Sequence, residues 1–292
     1  MTDDRSPEPT PRAPTFIRNV GGERSFLARY MRYMKDQETA RVYDWFCGLW
    51  CISSTIGRWS FVARPRAPVY LNLYLVLSAE SGITRKSTAI GISTKLVRSV
   101  MGIGQVDGRL VESSITHSAL LQQMTHDSAV KGHTHVIFSI SELAAVLGRS
   151  SASIGIPALL TDLYDCPTKR TGGGTAGRGE YELSNVYSSF IAGTTPSWLT
   201  SAVSPDVVEG GFTSRCLFVA SERPKALIAW PNEGSNVFEY EEMAKQLAEI
   251  LDQCPKQIGI NAPALDIFKT WYKSRHRYYD PYRASFASRE DA

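Results

Sequence analysis

The chain has 292 residues, which is enough for one large domain or two small ones with a core that needs neither disulfides nor a metal. Apolar residues make up 43% of it and charged residues 21%, so a wholly disordered or fibrous protein is excluded. Lys and Arg number 32 against 29 Asp and Glu. This net charge of +3 excludes a surface that is basic throughout but allows a local basic channel.

The N-terminus and the cysteines indicate the compartment. Residues 1–24 begin with several prolines among polar and charged side chains, which predicts a disordered tail, and they lack the apolar stretch of a secretory signal. No apolar run is long enough to cross a bilayer, so we expect a cytoplasmic protein with no membrane partner. An odd number of cysteines without zinc-site spacing predicts reduced, mostly buried thiols. The cysteines are Cys47, Cys51, Cys166, Cys216 and Cys254.

Residues 25–64 are predicted to form an N-terminal helical segment. Two apolar stripes with helical spacing follow each other in it, so we expect two helices joined near residues 36–39. A short strand over residues 59–63 is predicted next, before a Pro-Arg-Ala-Pro break.

Strands and helices alternate through the core predicted for residues 65–235. Strands are predicted over residues 69–78, 133–141, 185–194 and 215–220, and helices over residues 86–101, 116–128 and 156–164. The strands are almost continuously apolar, and their alternation with helices predicts an α/β fold with a mainly parallel sheet flanked by helices. A helical C-terminal segment is predicted for residues 236–292, with helices over residues 238–253 and 262–279.

The turn after the first core strand has the layout of a phosphate-binding loop. Residues 77–89 read LSAESGITRKSTA, in which Lys86 and Ser87 open a helix. In such a loop, backbone N–H groups hold phosphate oxygens, the lysine adds positive charge at the β- and γ-phosphates, and the next hydroxyl ligates Mg²⁺. Glu80 and Arg85 replace the usual glycines, so a polar turn with a Ser/Thr cap is the alternative. The residues predicted to bind ATP are Ser81, Gly82, Ile83, Thr84, Arg85, Lys86, Ser87 and Thr88.

A carboxylate, Glu142, directly follows the strand over residues 133–141. A phosphate loop that hydrolyses ATP needs a carboxylate on a neighbouring strand to hold the metal and activate water. We therefore predict that Glu142 is the catalytic base and that it holds Mg²⁺ together with Ser87. Ser141 stands where many ATPases have an aspartate. The alternative is that Glu142 is an acid stabilised by the dipole of a helix N-terminus.

Two further candidates flank the later strands. Thr195 follows the strand over residues 185–194 and is either a sensor of the γ-phosphate or the cap of a helix that starts at Pro196. Arg215 follows a Gly-Gly turn and precedes a strand. It is either an arginine finger, acting in cis or from a neighbouring subunit, or one half of a structural ion pair.

A glycine-rich segment over residues 168–179 is predicted to be a flexible loop or hairpin tip. It carries Lys169, Arg170 and Arg178, which are the candidate contacts with DNA. In a ring of subunits, several copies of this loop would gather basic charge in a central channel. The alternative is a solvated hairpin with no partner.

Eight segments of the chain, in this order, resemble a family of P-loop ATPases encoded by phages, prophages and plasmids. They are YDWF at 43–46, IGRW at 56–59, VYLNLYLVL at 69–77, SGITRKSTAI at 81–90, FSISEL at 138–143, LTDLYD at 160–165, GTTPSWL at 193–199 and GGFTSR at 210–215. The family resembles RecA-like or AAA+ helicase motors, and a loop with arginine before the lysine recurs in it. Its members often continue with more helices, so this chain is either a short member or a fragment.

The resemblance implies an Mg²⁺-dependent ATPase acting in DNA replication or processing of a phage or mobile element. It implies that Lys86 and Ser87 bind the nucleotide and metal, that Glu142 activates water, and that Arg215 is the finger. It likewise implies that Thr195 senses the nucleotide. The expected protein is a helicase-like motor on single-stranded DNA that forms a homo-oligomer, with a ring as one possible form. The alternatives are a nucleotide-dependent loader that binds a partner replication protein, and a nucleotide-binding module without turnover.

Overall fold

The computed structural model describes residue 22 and residues 24–104, 106–147, 155–172, 180–202, 211–229 and 237–275. Almost all of the predicted N-terminal tail lies outside these ranges. So do Arg178 and the last four residues of the helix predicted over residues 262–279.

The two predicted helices and the predicted short strand are present in the N-terminal segment, and the strand forms one arm of a hairpin that was not predicted. Helix α1 (Phe26–Tyr33) passes through a 3-10 turn (Met34–Asp36) to helix α2 (Arg41–Ile56). Strand β1 (Phe61–Val62) then pairs antiparallel with strand β2 (Val69–Tyr70).

The prediction of one strand over residues 69–78 is wrong. Strand β2 belongs to the small hairpin, and strand β3 (Tyr74–Ser78) belongs to the main sheet. Between them, the side-chain amide of Asn72 donates to the carbonyl of Tyr164 at 2.8 Å. The chain leaves the first sheet and enters the second over residues 71–73, although its apolar character is almost unbroken.

The other predicted elements agree closely with the observed ones, and four short strands, two short helices and a 3-10 turn are added. In chain order they are α3 (Lys86–Gly102), β4 (Arg109–Val111), α4 (His117–Lys131), β5 (Thr134–Ile140), α5 (Ala144–Leu147), α6 (Ile156–Tyr164), β6 (Lys169–Gly172), β7 (Tyr181–Ser184), β8 (Val186–Thr194), α7 (Pro196–Ala202), a 3-10 turn (Thr213–Arg215), β9 (Cys216–Ala220), α8 (Val237–Gln253), β10 (Gln257–Ile258) and α9 (Ala262–Arg275).

The main sheet has five strands, all parallel, in the order β4-β5-β8-β3-β9. The predicted α/β fold with a parallel sheet is therefore confirmed. Strand β3 lies between β8 and β9, and Ser78 is in register with Thr194 on one side and Ala220 on the other. The carboxyl ends of these three strands therefore meet at one edge of the sheet, which we call the carboxyl edge.

Helices cover both faces of this sheet. Helices α1, α2, α3 and α8 pack on one face, against side chains such as Leu75, Leu77 and Ile191. Helices α4, α5 and α6 pack on the other, against Val76 and Phe138. The connection from β3 through α3 runs to the far edge at β4, and the later connections return over the opposite face. All crossover connections between parallel strands have the same handedness, so connections that run in opposite directions along the sheet lie on opposite faces. The connections that follow β3 and β8 therefore leave the sheet on opposite faces.

A second sheet pairs the hairpin of β1 and β2 with a strand from the C-terminal segment. It has the order β10-β1-β2, with β10 parallel to β1. The predicted C-terminal helices α8 and α9 flank β10 in sequence, and the side chain of Gln246 on α8 donates to the carbonyl of Arg24 at 2.7 Å. Within the described residues, no helix is both long and apolar enough to cross a membrane.

Candidate functional site

The carboxyl edge of β3 and β8 is the place where ligands bind in open α/β sheets, because the strand connections diverge there and leave a crevice. The two strand ends are tied together, since the N–H of Ala79 donates to the carbonyl of Thr194 at 3.3 Å. Strand β3 continues directly into the turn over residues 79–85 and then into α3, a helix of 17 residues. The predicted phosphate loop therefore lies in this crevice.

Left-handed backbone at two positions shapes the turn. Gly82 has a φ of 78°, which glycine adopts without strain. Arg85 has φ 47° and ψ 43° at the N-cap of α3, a conformation that costs a residue with a side chain about 1–2 kcal/mol. Its guanidinium Nε donates to Glu38 at 3.0 Å, so the connection between α1 and α2 anchors the end of the turn.

The ammonium of Lys86 lies over the turn. Its Nζ donates to the carbonyl of Ala79 at 2.6 Å and to that of Glu80 at 3.4 Å. Burial lowers the pKa of Lys86, while the carboxylates of Glu142 and Glu80 act in the opposite direction. Lys86 and Glu142, predicted from separate parts of the sequence, are thus electrostatic neighbours.

Gly193 on β8 allows this close approach. A Cβ at Gly193 would lie 2.7 Å from the carbonyl oxygen of Ser141 and 3.9 Å from Cε of Lys86. The carbonyl of Gly193 also accepts from the N–H of Leu143 at 2.7 Å. The end of β5, the end of β8 and the side chain of Lys86 therefore meet around one glycine.

The residues of this edge fit Mg²⁺ and a polyphosphate. The N–H groups of Lys86 and Ser87 have no backbone acceptor among the described residues, which leaves them available to an anion at the start of α3. Ser87 and Glu142 are both exposed, and within the described part of the chain the Glu142 carboxylate has no hydrogen bond or ion pair. No group of three His, Cys, Asp or Glu in that part could hold a metal by itself. Mg²⁺ bound with a nucleotide needs only one or two protein ligands, since phosphates and water complete its shell.

Thr195 lies at the same edge and acts as a helix cap. Its Oγ1 accepts from the N–H of Trp198 at 3.3 Å and lies 3.1 Å from the hydroxyl of Ser197. This is the capping alternative for Thr195, directly before Pro196 at the first position of α7. The side chain of the preceding Thr194 is buried.

Arg215 lies at the opposite, amino edge of the sheet. It precedes β9, whose five residues span about 16 Å, so its own Lys86 is out of reach. Arg215 Nη2 pairs with Asp165 at 3.1 Å and its Nη1 donates to the carbonyl of Gly211 at 3.1 Å. The side chain is only 8% exposed. A finger acting in cis is therefore wrong, and the ion-pair alternative is present. The sequence alone indicates that these two residues lie at opposite edges of a parallel sheet, because Arg215 precedes its strand whereas Glu142 follows its strand.

The glycine-rich hairpin also starts from the amino edge. Strands β6 and β7 form its arms, and Asn185 alone separates the end of β7 from the start of β8. Lys169 pairs with Glu182 at 2.8 Å, and Arg170 pairs with Asp162 at 2.5 Å. Arg178 lies outside the described residues. Carboxylates thus already offset the two described cations, and the base of the hairpin is remote from Lys86.

Residues of the N-terminal segment support the turn, a role that sequence patterns did not suggest. The hydroxyl of Tyr43 donates to the carbonyl of Ser78 at 2.6 Å. Next to it, Asp44 is 1% exposed and pairs with Lys225 at 2.7 Å, and Lys225 also donates to Thr39 at 2.8 Å. Burial raises the pKa of Asp44, and Lys225 opposes that rise. The only local signal in the sequence is that Asp44 stands between two aromatic residues, Tyr43 and Trp45.

No protein-family model matches the chain, and the search of curated proteins gives no match either.

Proposed function

We propose that the chain is a P-loop ATPase of RecA-like or AAA+-like type that binds ATP and Mg²⁺ at the carboxyl edge. The observation that carries the proposal is the position of Lys86. It opens a long helix directly after a buried parallel strand, its ammonium lies over the connecting turn, and Glu142 is its electrostatic neighbour. A polar turn with a cap would need neither the lysine over the turn nor the facing carboxylate.

The roles of the residues follow from their chemistry. The free N–H groups at the start of α3 donate to phosphate oxygens, and Lys86 offsets negative charge on the β- and γ-phosphates. Ser87 and Glu142 would hold Mg²⁺, which would supply further positive charge to offset that of the phosphates. Glu142 also orients a water for in-line attack and accepts its proton. Thr195 lies at the same edge and senses the state of the γ-phosphate, because its Oγ1 caps α7 as an acceptor and its O–H can still donate.

The wider proposal is a cytoplasmic, oligomeric, helicase-like motor that acts on DNA in replication of a phage or mobile element. An arginine at the amino edge can reach only the site of another copy, so the finger role that we propose for Arg215 requires an oligomer. In this arrangement the Arg215 of one subunit completes the carboxyl edge of the next. The pair with Asp165 holds its guanidinium in the free subunit.

A second candidate is a nucleotide-dependent loader with little hydrolysis. Ser141 favours it, since a hydroxyl replaces the carboxylate that would hold the metal beside Glu142. The anchored, left-handed Arg85 in place of glycine favours it too. ATPase activity stimulated by single-stranded DNA supports the motor. ATP-dependent association with a helicase or initiator, without that stimulation, supports the loader.

The test measures ATP binding and hydrolysis with and without single-stranded DNA for three variants. Lys86→Ala is expected to lose nucleotide binding. Glu142→Gln is expected to keep binding and to lose about 10²-fold or more in turnover, the usual contribution of a general base. Lys95→Ala, which removes an exposed lysine from the same helix, is the control and keeps both activities. Wild-type turnover in Lys86→Ala would overturn the proposal.

A mixing experiment tests Arg215. Inactive Arg215→Ala subunits are combined with inactive Glu142→Gln subunits. If the finger acts between copies, some mixed interfaces contain both an intact Glu142 and an intact Arg215, so part of the activity returns. No recovery assigns Arg215 to its pair with Asp165 alone.

A further inference from the structure

The small sheet carries an exposed turn with two arginines. Residues 63–68 connect β1 to β2 with the sequence ARPRAP, and all six residues are exposed. Arg64 and Arg66 form no ion pair with any residue that the structure describes. Two prolines restrict the turn before any ligand binds, which lowers the entropy lost on binding.

The two chain segments that form the small sheet contain basic residues but no acidic residues. The chain has no Asp or Glu between Asp44 and Glu80, and none between Asp252 and Asp266. The exposed Lys256 precedes β10, and its carbonyl accepts from the N–H of Phe61 at 3.1 Å. The sheet therefore adds a third cation beside β1. Such unbalanced positive charge attracts a polyanion.

Aromatic rings accompany these cations. The indole of Trp59 is 54% exposed, although its Nε1 donates to the carbonyl of Cys254 at 3.0 Å, so the ring is both held and accessible. Phe61 and Tyr70 are opposite each other in register with ring centroids 6.0 Å apart, and Arg58 lies 4.4 Å over Tyr70. Charge alone would suit any polyanion, but an accessible held ring beside charge suits unstacked bases.

We propose that Arg64, Arg66, Lys256 and Trp59, here called the basic sheet surface, bind single-stranded nucleic acid. The arginines and the lysine contact phosphates, and the indole stacks on a base. The surface replaces the glycine-rich hairpin as the DNA contact, because the described cations of that hairpin are already paired with Glu182 and Asp162. This inference rests on the DNA partner of the proposed function and not on ATP hydrolysis.

The test is fluorescence anisotropy of a labelled oligo-dT, titrated without nucleotide at several salt concentrations. Arg64→Ala/Arg66→Ala is expected to weaken binding at 50 mM salt by at least tenfold. It is also expected to make the negative slope of log K against log salt shallower by about 1.4, because each phosphate contact on a single strand contributes about 0.7 to the steepness. Arg64→Lys/Arg66→Lys keeps most of the affinity.

The matched control removes the same charge elsewhere. Lys35→Ala/Lys95→Ala deletes two exposed lysines on other parts of the molecule and is expected to change affinity less than threefold. Thermal unfolding of each variant checks that the fold is retained. Equal weakening by both double variants, or no weakening by the arginine pair, overturns the assignment, as does a wild type that fails to bind oligo-dT.

Two further measurements separate the parts of the proposal. Trp59→Leu is expected to lose about 5- to 150-fold in affinity, because stacking on one base contributes about 1–3 kcal/mol, and Trp59→Phe is expected to lose much less. Equal affinity for a duplex of the same length overturns the assignment to single strands. Lys86→Ala is expected to bind oligo-dT as the wild type does. An absence of ATPase activity would therefore not contradict the proposed DNA contact. Likewise, loss of DNA binding would not contradict the proposed nucleotide site.

Discussion

Replacing Gly193 by alanine tests the geometry of the carboxyl edge most directly. Gly193 lies on the central strand β8, and a Cβ there would be 2.7 Å from the carbonyl oxygen of Ser141. Ordinary contact begins at 3.4 Å, so the two strands must separate by about 0.7 Å. The obstacle is backbone, which cannot rotate away as a side chain could.

The size of the effect follows from this separation. Overpacking of a buried strand destabilises a protein by about 1–3 kcal/mol. Because Glu142 directly follows Ser141, its carboxylate moves with the backbone. A displacement of about 1 Å of a reacting group can cost about 10²-fold in rate, so we expect Gly193→Ala to lose about 10- to 100-fold in ATP turnover.

The measurements are urea unfolding and ATP turnover, with Gly91→Ala as the matched control. Gly91 lies within α3, and a Cβ there would meet nothing within 4 Å. This control is expected to gain about 0.5–1 kcal/mol from alanine's helix propensity and to keep its turnover. If Gly193→Ala is as stable and active as Gly91→Ala, the strands do not approach as described and the reasoning about this edge is refuted.

Two predictions concern buried charge. Burial lowers the pKa of His135 from its ordinary 6.5 to about 4, so its contribution to stability is complete above pH 6.5 and is lost as the pH falls towards 4. Wild type is expected to lose about 2 kcal/mol more than His135→Gln between pH 7.5 and 5 in urea unfolding, while the exposed His126→Gln control keeps the wild-type slope. Lys225→Ala leaves the buried Asp44 carboxylate unpaired and is expected to destabilise the fold by about 3–5 kcal/mol. Asp44→Asn/Lys225→Met is expected to recover most of that loss, and a double variant no more stable than Lys225→Ala would contradict the role of the pair.

Local signals located most helices. The helix predicted from residue 116 begins there with a cap, since the hydroxyl of Thr116 accepts from the N–H of Ala119 at 3.2 Å, and α6 has the predicted bounds. Strand β4 has only three residues, too few for a pattern to stand out. The split between β2 and β3 was not predictable either. A nearly continuous apolar run indicates that residues are buried, but it does not indicate which sheet buries them.

Order along the chain was enough to bring Lys86 and Glu142 to one edge. Both follow their strands, and the carboxyl ends of parallel strands meet. The support beneath the turn could not be read in this way. Glu38 and Lys225 lie 47 and 140 residues from Arg85, and nothing local marks either of them as a neighbour of the turn.

The sequence by itself determined the α/β class, the helix starts and the candidate phosphate turn, because these depend on periodicity, caps and residue chemistry within short windows. Only the tertiary structure decided which cations are free. Lys169, Arg170 and Arg215 have carboxylate partners brought to them by folding, whereas Arg64 and Arg66 have none among the described residues. The sequence gives the number of cationic side chains. Whether a cationic side chain is available to bind a ligand depends on which carboxylates the fold places within a few ångströms of it. For that reason the expected DNA contact moves from the glycine-rich hairpin to the basic sheet surface.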